Sequence, residues 1–68
     1  MKTLSGKQLA KLLELHGWVL SRINGSHHIY TKEGEETRIS IPIHANRDLK
    51  IGLLKHILKI TCIDENEF

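Results

Sequence analysis

Residues 18–43 read WVLSRINGSHHIYTKEGEETRISIPI, and this stretch decides the fold. Trp18 to Ile23 is rich in β-forming side chains, and Asn24-Gly25 is the strongest short hairpin signal in the chain because both residues tolerate positive φ. His28 to Thr31 continues as the return strand. Glu33-Gly34-Glu35-Glu36 makes a second, acidic turn. Thr37 to Ile43 then alternates, with Ile39, Ile41 and Ile43 on one face. Pro42 has no N–H to give to a ladder, so this third strand either lies at an edge or ends there.

Helices flank the strands on both sides. Before them, Ser5 is followed three residues later by Gln8, a capping-box pattern, with Leu4 and Leu9 at the two staple positions. Leu9, Leu12, Leu13 and His16 recur at helical spacing, and Gly17 stands where a left-handed C-cap belongs, which predicts a helix over 6–16. After the strands, Asp48, or alternatively Asn46, caps a helix over 49–60. Leu49, Leu53, Leu54, Ile57 and Leu58 form its apolar face, with Lys50, Lys55 and Lys59 on the flank. Gly52 inside that helix costs about 1 kcal/mol relative to alanine and suggests close backbone packing. Asp64 to Phe68 reads as the opening turn of a further short helix.

The order α-β-β-β-α gives an α+β fold. A three-stranded antiparallel sheet with one apolar face needs a cover, and two amphipathic helices supply it on that face. The opposite face stays open, as in double-stranded-RNA-binding domains.

The chain has 68 residues. That makes one domain, 1–68, too small for a two-domain cleft or a large cofactor. One cysteine excludes an internal disulfide framework and a Cys-rich zinc site. The opening Met1-Lys2-Thr3-Leu4 lacks the apolar stretch of a signal peptide, and no run approaches the ~18 apolar residues of a membrane helix. The expectation is a soluble, cytoplasmic protein. Residues 1–63 hold all ten basic groups against five acids, a net +5, while the last five residues carry the other three acids. A modestly basic body suits nucleic acid and, equally, an acidic protein.

Gly25-Ser26-His27-His28 is the one local constellation with evident chemistry. A small turn presents a hydroxyl and two imidazoles at a hairpin mouth. Histidine gives or takes a proton near neutrality. Cleavage of RNA at a ribose 2′-OH needs a base for that proton, an acid for the departing 5′-oxygen, and cations for the charge on phosphorus. No acidic ligand cluster is present for a metal, and His27 and His28, being adjacent on a strand, point to opposite faces and chelate poorly. Strand histidines are also ordinary polar surface residues, and alternation leaves open which of the two faces the free side. A turn at Asn24-Gly25 pairs Arg22 with His27, whereas a loop including Ser26 opposes Ile23 to His27, and a one-residue slip reverses the faces. Ser26 serves phosphate contact or the turn backbone, and His44 approaches the hairpin mouth or begins a loop. Trp18 and Tyr30 are stacking platforms for bases or packing residues, with packing favoured for Trp18. Cys62 reads as buried and inert.

The chain resembles the HicA family of bacterial toxins. The matching stretches are the first helix running into Leu15-His16-Gly17-Trp18, then Gly25-Ser26-His27-His28-Ile29-Tyr30 and Ile41-Pro42-Ile43-His44. Asp48-Leu49-Lys50-Ile51-Gly52 follows, leading into Leu54-Lys55-His56-Ile57-Leu58-Lys59. The resemblance implies the double-stranded-RNA-binding fold and a metal-independent endoribonuclease, an mRNA interferase of a type II toxin–antitoxin pair with no cofactor. It implies RNA and a HicB-like antitoxin as partners, with no membrane involved. The family's catalytic histidine follows Gly-Ser, which maps onto His27. His28, Ser26 and His44 are supporting candidates, and Lys2, Arg22, Lys32 and Lys50 are the cations expected to hold RNA. The alternatives are a non-catalytic RNA-binding module of the same fold and a pure interaction protein.

Overall fold

A computed structural model describes residues 3–68. The elements run α1 (Gly6–Leu15), β1 (Val19–Asn24), β2 (His27–Thr31), β3 (Ile39–Pro42), α2 (Ile51–Thr61) and a short 3-10 turn (Glu65–Glu67). This is the expected α-β-β-β-α arrangement, with an antiparallel sheet in the order β1-β2-β3.

The first helix begins as its sequence dictates. Ser5 Oγ accepts from the Gln8 amide at 3.2 Å, and Gln8 Oε1 accepts from the Ser5 amide at 2.9 Å, closing the capping box. Gly17 takes the left-handed conformation after the helix, with φ of 91°. Trp18 lies before β1 and is buried.

In the β1–β2 hairpin, Asn24 pairs with His27, so the two turn residues are Gly25 and Ser26 rather than Asn24 and Gly25. Gly25 has φ of 62° while Ser26 stays out of the left-handed region, the pattern of a connection that needs glycine at its first central position. The strand therefore opens at His27. The register shifts between Leu20 and Arg22, leaving Ser21 as a bulge. β3 ends at Pro42, consistent with its missing donor.

Cross-strand pairing assigns the faces. His28 opposes Ile41, and Tyr30 opposes Ile39; the three partners Tyr30, Ile39 and Ile41 are buried. They share one core with Leu9 and Leu13 of α1 and Leu54, Ile57 and Leu58 of α2, so both helices cover the same face. Each such side chain taken out of water stabilises the fold by about 1.5–3 kcal/mol before entropy is charged. At the β1 edge the cover thins, and Leu20 and Ile23 on the helix side remain exposed.

Gly6 sets how closely α1 approaches β3. A Cβ at this position would stand 2.5 Å from the Pro42 carbonyl oxygen and 3.0 Å from Ile43 Cγ1. Gly52, where close packing was expected, has nothing within 4 Å of such an atom. Asp48 does not cap α2 either. It pairs with Ser5 in an isolated bridge, and its Oδ2 accepts from the Thr3 hydroxyl at 2.8 Å. The Leu49 amide donates to the Leu4 carbonyl at 2.8 Å. These contacts hold residues 48–49 extended, so α2 starts at Ile51 with Lys50 as an N-cap that has no side-chain cap bond. Cys62, expected to be buried, is exposed. It takes a left-handed conformation at the end of α2, with φ of 58°. This lets the Ile63 amide reach the Leu58 carbonyl at 3.1 Å while the Ile63 side chain enters the core.

Candidate active site

The face of the sheet away from the helices carries His27. On β1, Asn24 lies directly opposite it; on β3, Pro42 does. Ile29, paired with Arg22 on one side and Ser40 on the other, shares that face. The imidazole of His27 is exposed and makes no side-chain hydrogen bond among the described residues. Its position is anchored through the backbone, because the Ile43 amide donates to the Ser26 carbonyl at 2.8 Å and ties the turn to the end of β3. Ser26 itself is half-buried.

The second histidine is elsewhere. His28 sits between Ile23 and Ile41 on the helix side and is half-buried, so the structure does not bring the two rings together. His44 follows β3 and lines a groove with Pro42, Arg47, Asp48 and Lys50, a cavity of about 250 Å³. Pro42 thus belongs both to this groove and to the cross-strand pair with His27.

The expected RNA-binding cations divide. Lys50 lines the groove, and Arg22 lies diagonally across the ladder from His27. Lys32 follows the far end of β2, about 16 Å along the strand from His27 at the usual rise per residue. Its side chain lies beside Gly17. Lys2 falls outside the described residues. Arg47 was not singled out by the sequence; it stands in a polar loop with no motif around it, and only the folded loop brings it to Lys50.

Trp18 and Tyr30 are both buried and offer no stacking surface. Burial, with the Glu14 carboxylate beside it, pushes the Tyr30 hydroxyl above the usual tyrosine pKa. His16 pairs with Glu67 at 2.6 Å, joining the end of α1 to the final turn, and His56 is exposed on α2. Among the described residues no three His, Cys, Asp or Glu side chains converge as a metal site would require, and no helix is long and apolar enough to cross a membrane.

Fold and site together define a class: a small α-β-β-β-α protein with one bare sheet face, an accessible imidazole at its hairpin and cations beside it. The chain belongs to the HicA toxin family of bacterial toxin–antitoxin systems, whose model matches residues 6–62, every element from α1 through α2. Membership implies a cognate antitoxin. A search of curated proteins gave no match.

Proposed function

We propose that this chain is an endoribonuclease that cuts messenger RNA in the cytoplasm without a metal ion, with His27 as the catalytic residue and a HicB-like antitoxin as its restraint. The observation that carries the reading is the imidazole of His27, exposed on the uncovered face and without a side-chain hydrogen bond among the described residues. A neutral ring takes the proton of a ribose 2′-OH. The oxygen so released attacks the adjacent phosphorus, the bond from phosphorus to the 5′-oxygen breaks, and that oxygen receives a proton. One imidazole does not readily serve both ends at once. His44, in the groove that shares Pro42 with His27, is the candidate for the second role, and His28 on the other face is not. Arg22, diagonally across the ladder from His27, offsets the charge that builds on phosphorus. A positioned acid–base group contributes about 10²–10⁴-fold to such a step. The net +5 of residues 1–63 favours an acidic antitoxin that covers the same face.

The test incubates RNA with wild-type and His27→Ala protein in the presence of a chelator. Wild-type protein is expected to release fragments and the variant none, with matching growth arrest and loss of arrest in cells. Equal cleavage by the variant refutes the assignment. Binding of RNA by the wild type with no fragments would make the chain an RNA-binding module instead.

A further inference from the structure

We propose that the groove between the β3–α2 loop and the start of α2 holds a backbone phosphate of the RNA strand adjoining the one being cut, with Arg47 and Lys50 as its ligands. This rests on the nuclease reading above and adds to it a path for the substrate. The first support is position. Pro42, opposite His27 across the ladder, is one wall of the groove, so the cavity begins about one strand spacing, ~4.8 Å, from the catalytic position.

The second is size. At about 250 Å³ the cavity is smaller than most sites for whole small molecules, which run from roughly 300 to 1,000 Å³. It suits a phosphate with part of its sugar. The third is charge. Arg47 and Lys50 are exposed, and neither takes part in an ion pair among the described residues. The one acid in the lining, Asp48, accepts from the Thr3 hydroxyl through Oδ2, so two cations stand against one carboxylate there. Leu53 adds an apolar wall, which strengthens charge-assisted hydrogen bonds by excluding water.

The fourth is preorganisation. The Arg47 amide donates to the His44 carbonyl at 3.0 Å, and the bridge between Asp48 and Ser5 pins the next residue to the start of α1. The two cations therefore stand on a backbone already fixed in the free protein, and only their side chains are left to be ordered on binding. Apart from the His44 ring, the lining offers no stacking surface, so the groove positions the strand chiefly through its phosphate.

The experiment measures anisotropy of a short, labelled single-stranded RNA of mixed sequence. It is titrated with His27→Ala protein, so that the RNA survives, over a series of salt concentrations. Adding Arg47→Ala and Lys50→Ala is expected to weaken binding roughly tenfold and to flatten the slope of log K against log salt by about 0.7 or more. Arg47→Gln with Lys50→Gln keeps part of each stem, guards against a folding defect, and is expected to show the same loss. Lys55→Ala with Lys59→Ala removes equal charge from α2 outside the groove and is expected to change affinity by no more than about twofold. Equal losses in the two alanine double variants, or none in the first, overturn the groove. Wild-type protein is run on the same RNA in parallel. If it cuts while Arg47 and Lys50 prove irrelevant to binding, only the groove fails. If it neither cuts nor binds, the nuclease reading fails and takes the groove with it.

Discussion

His27 and His28 are neighbours in sequence with opposite surroundings, one ring in solvent and the other half-buried against Ile23 and Ile41. His28→Ala is therefore expected to leave RNA cleavage near the wild-type rate while lowering stability by on the order of 1 kcal/mol. His27→Ala does the reverse; paired kinetic and urea-melt measurements check both, and a dead but stable His28 variant would contradict the face assignment. The sequence identified the pair but not its orientation, for a definite reason. The turn residues admit two registers, at Asn24-Gly25 or with Ser26 included, and a slip of one residue exchanges the faces. In the fold the Tyr30 ring is buried opposite Ile39, and alternation carries His28 inward with it. The same buried ring makes a pH prediction. Because Tyr30 is held above its ordinary pKa, the unfolded chain loses this proton first as pH rises. Its contribution to stability is full below about pH 10 and falls as pH climbs from there through the folded-state value. Tyr30→Phe should remove that alkaline loss, measured as Tm against pH.

Two glycines contrast at the level of the elements. Gly6 opens α1 where a Cβ would collide with the Pro42 carbonyl, so Gly6→Ala must push α1 off β3. A cost of about 1–3 kcal/mol is expected from such overpacking, and because Pro42 stands opposite His27, cleavage should fall as well. Gly52→Ala meets nothing within 4 Å and is expected to raise stability, by up to about 1 kcal/mol through helix propensity. Thermal melts of the two variants should move in opposite directions; a Gly6→Ala protein as stable as the wild type would mean that the α1–β3 approach is slack. Local signals were enough to place α1, whose capping box lies within four residues, and β3, whose isoleucines alternate. They misplaced the start of α2, because Asp48 is a good cap by type but is taken by Ser5 and Thr3, more than forty residues away. They also misjudged Cys62, since a left-handed turn there delivers Ile63 to the core in its place. Arg47 was invisible for a different reason: it stands in a loop without a motif, and only the path of that loop puts it in one groove with Lys50.

The whole molecule has little stability to lose, and this separates catalytic from structural inactivation. Leu54 is fully buried among residues from both helices and the sheet. Leucine-to-alanine changes in such sites cost about 2–5 kcal/mol, against the ~3–5 kcal/mol that a core in a domain this small usually supplies. Leu54→Ala should thus leave much of the chain unfolded at 25 °C, with no cooperative urea transition starting from a native baseline, and should abolish growth arrest with every site residue intact. An antitoxin that binds only the folded chain would draw it back by mass action, gaining about 2.7 kcal/mol when present at a hundred times its Kd. The expected outcome is that added antitoxin restores helical circular dichroism to Leu54→Ala. His27→Ala should be fully folded with or without antitoxin. If Leu54→Ala alone melts cooperatively near the wild-type midpoint, then the core has more in reserve than its size allows, and loss of toxicity in that variant would have to come from the site.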